Sequence, residues 1–172
     1  KIIAADGLSV SAGWVDMQAY AGEPGLEYKE DLESLAAAAA AGGFTEVLLL
    51  PNTQPVVQTK GAITFIRNKS FSLPVTLLPA AAITVDAEGK DLTEMIDLHQ
   101  SGAVAFTDGT HPLQGADMIL KALQYLQPFN GLLMNRPEHT RLTENGQMHE
   151  GEASTRLGMK GIPSLAEEVT VA

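Results

Sequence analysis

The chain has 172 residues, 45% of them hydrophobic, enough to bury one core, so a single domain is expected. Its formal net charge of −10 argues against a surface that tracks phosphates, because nucleic-acid binding depends on clustered Lys and Arg that displace counterions. The lack of cysteine excludes disulfides, thiolate metal sites and a cysteine nucleophile and suits the cytoplasm, while no apolar stretch approaches the roughly 20 residues of a bilayer span and residues 1–6 lack the apolar region of a signal peptide.

In chain order, Trp14, Val15 and Met17 follow Gly13 as a short buried strand over 13–19, leading into the loop 21–25. Residues 27–41, rich in Ala, Leu and Glu, form a predicted helix, and the Gly42-Gly43 pair supplies its left-handed stop. The apolar run 46–50, ending at Pro51, suits a strand covered on both faces in a parallel sheet. The alternation repeats: helix 62–69, strand 75–83, helix 92–101, strand 103–106, helix 115–126, strand 131–134, and a last helix from Ser164 still running at the end of the sequence. Strands joined by right-handed crossover helices fit either an open doubly wound sheet or part of a barrel. A complete eightfold barrel takes about 250 residues, so on the barrel reading these are its first five or so units.

In parallel α/β folds chemistry sits at the C-terminal ends of the strands. Those positions here are 16–20, 51–53, 82–84, 107–109 and 134–136, and all are polar in part. A catalytic metal would need imidazoles or carboxylates converging from several strand ends. Of the four histidines, His99 lies on a predicted outer helix, His111 sits in a turn beside Pro112, and His139 and His149 follow the fifth strand. None has a histidine partner at ligand spacing, and no Gly-x-Ser-x-Gly elbow, phosphate loop or dinucleotide fingerprint is present.

Several separated blocks, in order, carry a family resemblance. Gly13-Trp14-Val15-Asp16-Met17, Glu23-Pro24-Gly25-x-Glu27-x-Lys29-Glu30-Asp31 and residues 39–44 are similar to the opening of a dihydroorotase. Leu50-Pro51-Asn52-Thr53-x-Pro55-Val56, residues 102–108 and Glu150-Gly151-Glu152-Ala153-Ser154-x-Arg156-Leu157-Gly158 resemble later blocks of that family. The resemblance implies an amidohydrolase-type (β/α) barrel over residues 12–172, with residues 1–11 as the end of a preceding β-sandwich segment.

It also implies where a site would lie. The family places Asp-x-His-x-His after the first strand, with an arginine two residues later to hold the substrate carboxylate. Here Asp16 is followed by Gln18 and Tyr20 in place of the histidines, and Gly22 stands for the arginine. Asn135 occupies the position of a further ligand histidine, Asp108 matches a carboxylate that contacts metal in one branch of the family, and Asn52 matches a substrate-contacting asparagine. The remaining family ligand and the catalytic aspartate would lie beyond Ala172. Zinc, the family metal, loses most of its affinity when amides and a phenol replace imidazoles, so no cofactor is expected. The resemblance thus suggests an impaired dihydroorotase-like protein of pyrimidine biosynthesis, acting as a structural or regulatory subunit, oligomeric, with aspartate carbamoyltransferase as a possible partner. The alternatives are an active cyclic amidohydrolase with a rearranged site using Asp108, His111 and His139, or a small-molecule binding module that performs no chemistry.

Overall fold

The computed structural model describes residue 7 and residues 9–171. Four strands, β1 (Trp14–Ala19), β2 (Phe44–Leu49), β3 (Thr76–Ala81) and β4 (Ala105–Phe106), form one parallel sheet in the order β1-β2-β3-β4. Strictly sequential order decides between the two architectures left open by the pattern. A doubly wound sheet reverses its order at a switch point, whereas a barrel wall adds each strand beside the last.

Helices α1 (Leu32–Ala41), α2 (Lys60–Ser70), α3 (Met95–Ser101) and α4 (Ala116–Leu126) pack on one face. Their buried pairs sit three or four residues apart: Leu32 and Ala36, Ile63 and Ile66, Met95 and Leu98, Ala122 and Leu126. These meet Val47, Leu49, Leu77, Ala81 and Phe106 from the strands. Alternate strand residues turn the other way, where Leu48, Ala80 and Ala105 form a second, smaller layer with Leu78 and Met134. Two apolar faces explain why the strand sequences read as continuous apolar runs.

Two expectations need correction. The predicted fifth strand, 131–134, is a single parallel bridge between Phe106 and Leu133, closed by hydrogen bonds from Phe106 N to Leu132 O (2.8 Å) and from Met134 N to Phe106 O (2.9 Å). Leu132 remains 47% exposed, and among the described residues this segment pairs only with β4. The helix predicted from residue 27 begins at Leu32, because the Asp31 carboxylate accepts a hydrogen bond from Ser34 N (2.8 Å) and caps it. Residues 22–30 instead close a loop, with Gly22 N donating to Glu30 O (2.8 Å) and Leu26 N to Gly22 O (2.8 Å). At the helix end it is Gly43, at φ +83°, that takes the left-handed conformation.

Beyond the bridge the chain is not the plain loop the pattern suggested. Short helices α5 (Thr140–Thr143), α6 (Glu152–Leu157) and α7 (Leu165–Val171) surround a small parallel pair, β5 (Met148–His149) and β6 (Gly161–Ile162). The β-sandwich end expected over 1–11 falls largely outside the described residues, and 9–11 belong to no regular element. No described helix is long and apolar enough to cross a membrane.

The loop after β1 is pinned to α2 by a shielded ion pair. Lys69 Nζ lies 3.0 Å from Glu23 Oε1, and the other carboxylate oxygen accepts from Leu32 N (2.9 Å), so Glu23 also serves the start of α1. Glu23 is 7% exposed, and its hydrogen bond to Lys69 holds the ammonium above its ordinary pKa. Removing one partner of such a pair strands the other charge away from water. Lys69→Ala is expected to cost the complete polypeptide about 2 kcal/mol, discounted for the partial exposure of the lysine, as a lower urea midpoint at unchanged slope.

Candidate functional site

The C-terminal ends of the strands meet in a mouth built mainly by hydrogen bonds to backbone. Asp108, two residues beyond β4, is 2% exposed, and its carboxylate turns toward the end of β3. Oδ1 accepts from Ile83 N (2.8 Å) and Thr84 N (2.9 Å), and Oδ2 accepts from the Thr84 hydroxyl (2.5 Å), which itself accepts from Gly89 N (2.8 Å). Burial raises the Asp108 carboxyl above its usual pKa, and these hydrogen bonds oppose that rise without cancelling it.

Asn52, just after β2, clamps the turn that follows Asp108. Its Nδ2 donates to Asp108 O (3.0 Å) and lies 3.4 Å from His111 Nδ1, while Oδ1 accepts from Thr110 N (3.1 Å). Gly109 makes room for this: at φ +61°, a Cβ there would fall 1.8 Å from Asn52 Oδ1. Asn135 is committed in the same way, accepting from Leu113 N (2.9 Å) and donating to Leu113 O (3.3 Å).

A cleft of about 370 Å³ opens beside these groups, lined by Gln18, Thr107, Gly109, Met134, Asn135, Arg136 and Pro137. The structure therefore brings Gln18 and Asn135 to one cleft. It sets Asp108 behind the cleft wall with its carboxylate facing away, and Tyr20, 37% exposed in the loop after β1, is not part of the lining. Gly22 is buried within its own loop, where a Cβ would lie 2.1 Å from Leu26 O. His99 stacks on Phe129 with centroids 4.6 Å apart on the outer layer, and among the described residues neither His111 nor His139 belongs to a group of side chains able to hold a metal.

Against this geometry the comparisons with known proteins are specific. The family model described as dihydro-orotase-like matches residues 8–172. The chain belongs to the dihydro-orotase-like family. It is 41% identical over 173 residues to a dihydroorotase of Geotalea daltonii, covering 100% of this chain and 41% of that protein. A dihydroorotase of Pelotomaculum thermopropionicum is 41% identical over 172 residues, covering 100% of this chain and 40% of its own length. The chain thus spans about two-fifths of these relatives. Among solved structures, the L-hydantoinase (dihydropyrimidinase) of Arthrobacter aurescens superposes with a TM-score of 0.65 at 17% identity, over 93% of this chain and 37% of that one. That likeness carries the fold: the sheet and its helices are a section of an amidohydrolase-type parallel barrel.

The residues present do not fit the zinc that the family resemblance implies. Among the described residues no three His, Asp or Glu side chains gather as a metal-holding group. The cleft offers two amides, a hydroxyl and a guanidinium, which is a poor donor set for a borderline-soft cation.

Two participants were less visible in the sequence. Thr84 is the hydroxyl that completes the Asp108 cage, and its signal was its place as the first polar residue after the apolar run of β3. Arg136 is the cation of the cleft, and its signal was its position directly after Asn135.

The cage makes Asp108 a structural hub. Asp108→Ala leaves buried donors at 83–84 without an acceptor and is expected to cost about 3 kcal/mol in urea unfolding, with Asp108→Asn costing less because one oxygen remains. A carboxyl raised by folding contributes most to stability below its ordinary pKa, and that contribution is lost as pH rises through the folded value. The stability difference between the parent and Asp108→Asn should therefore move against the parent as pH rises from about 4.

Proposed function

We propose that this chain is the first part of the barrel of a dihydroorotase-like protein of pyrimidine biosynthesis that has lost metal-dependent hydrolysis and serves, as an oligomer in the cytoplasm, as a structural or regulatory subunit. The observation that carries this reading is the Asp108 carboxylate. Both of its oxygens are spent on Ile83 and Thr84, so the position that would meet metal in the family resemblance is a strut between strand ends.

Other positions support it. Gln18 and Asn135 stand where the resemblance implies imidazoles, and Asn135 is already engaged with Leu113 on both sides of its amide. Without a Lewis acid, water keeps its bulk pKa and a ring amide keeps an unpolarised carbonyl, which forfeits several kcal/mol of transition-state stabilisation. The carboxylate clamp is lost at the level of the backbone, since an arginine at 22 would drive its Cβ into Leu26 O unless the 22–30 loop moved. A subunit that keeps the fold while its site changes fits the general independence of fold and function. Aspartate carbamoyltransferase, the partner suggested by the family resemblance, is the first candidate for such a subunit to support.

The deciding measurement is metal content and dihydroorotate turnover on the same sample of the complete polypeptide. The expected result is substoichiometric zinc after dialysis against chelator and no turnover. About one or two retained equivalents together with turnover would overturn the proposal and put the active cyclic amidohydrolase first. In the combined variant Gln18→His, Tyr20→His, Asn135→His, zinc retention is expected to rise while turnover stays absent, because Gly22 still leaves the substrate carboxylate unheld.

A further inference from the structure

The chain between β3 and α3 carries strain at two residues. Asp86 (φ 54°, ψ 18°) and Ala87 (φ 55°) are consecutive non-glycine residues in the left-handed region, which aspartate adopts now and then and alanine seldom. Such backbone persists only where its surroundings over-determine it. The base of the loop is tied: Thr84 pairs with Leu92, Val85 N donates to Asp91 O (2.8 Å), and Gly89 N donates to the Thr84 hydroxyl oxygen (2.8 Å). Its tip is held by Gln58, whose Nε2 donates to Asp86 Oδ1 (2.7 Å) and whose Oε1 accepts from Asp86 N (2.6 Å). Gln58 is a firm post, because the neighbouring Val57 is buried and its carbonyl accepts from Ala82 N (2.9 Å). Lys90 and Glu88, 2.8 Å apart, tie the tip only to itself. Both Gln58 bonds lie at the surface, where water competes for them, so what they return is of the same size as the strain they hold.

We propose that residues 85–90 are a two-position flap fastened by Gln58. Fastened, the flap forms one wall of a groove of about 480 Å³, with His111, Pro112, Gln114 and Gly115 opposite. Gly89 passes over the buried Leu113, whose Cδ2 would lie 3.9 Å from a Cβ at 89. Released, residues 86 and 87 return to right-handed or extended backbone, the tip leaves Leu113 and the groove widens. Thr84 is the hinge on the β3 side, since its hydroxyl also donates to Asp108 Oδ2 and stays in the cage when Gly89 N lets go. The clasp uses neither Gln18, Tyr20 nor Asn135, so the flap does not depend on whether the mouth holds metal.

Hydrogen exchange on the complete polypeptide, read residue by residue and corrected for intrinsic rates, tests this in the parent, Gln58→Ala, Ala87→Gly and the double variant. The amides to follow are those of Val85, Ala87, Glu88 and Gly89, which are bonded within the loop and not to Gln58. Those of Leu78, Ala80 and Ala81 in β3 are the reference. In the parent the loop amides are expected to exchange through local opening, at least about tenfold faster than the reference amides, which await unfolding of the sheet. Gln58→Ala is expected to speed the loop amides about tenfold and to leave the reference unchanged. Ala87→Gly, which relieves the strain, is expected to slow them severalfold, and in the double variant to offset part of the loss of the clasp. Loop and reference amides exchanging at one rate in the parent, no change in Gln58→Ala, an equal rise at loop and reference in that variant, or faster loop exchange in Ala87→Gly would overturn the proposal.

Discussion

A buried carboxylate governs the mouth of this sheet. Moving Asp108 out of water costs several kcal/mol unless its lone pairs are filled, and they are filled by two backbone N–H groups and one hydroxyl from the chain leaving β3. The consequence is mechanical, because a side chain just after β4 holds the chain just after β3. Asn52, from the end of β2, holds the Asp108 carbonyl and the Thr110 amide. Three consecutive strand ends are thereby joined, and the turn 108–111 that forms one side of the cleft has little freedom left.

The rim on the β1 side is held by close backbone approach. A Cβ at Gly25 would lie 1.5 Å from Gln54 O, and Gln54 N donates to Pro24 O (3.1 Å), so the loops after β1 and β2 interlock. Glu23 then anchors the same loop to Lys69 on α2 and to the first turn of α1. With the loop in this position the rim leaves no space for a Cβ at 22, which would lie 2.1 Å from Leu26 O. The opposite side of the cleft, where Arg136 stands, faces fewer such constraints because the segment after 134 is more open.

The alternation of apolar runs with Ala- and Leu-rich stretches was sufficient to place β1 to β3 and the helices between them; β2 and β3 are buried on both faces, whereas β1, expected to be buried, leaves Trp14, Val15 and Met17 exposed. It was insufficient at 131–134, where the same apolar signal yields a bridge, because strand formation there depends on a neighbour on each side and not on composition. At 27–31 good helix formers lost to a local competition: Asp31 caps, and Glu30 O is taken by Gly22 N. The site was legible as a set of positions. Its directions were not, because nothing in the order of residues says that Thr84 will claim the Asp108 carboxylate or that Leu113 will claim the Asn135 amide. Polar side chains at strand ends choose between the cleft and the backbone by geometry of the order of an ångström, which sequence pattern does not encode.

The overall charge illustrates the same gap between composition and site. A formal charge of −10 argues against a polyanionic partner, yet it describes the average surface and not the cleft. Around the cleft the nearby acidic groups are either turned away, as Asp108 is, or paired with a cation, as Glu138 is with Arg136. What remains facing the opening is an amide, a hydroxyl and half of a guanidinium.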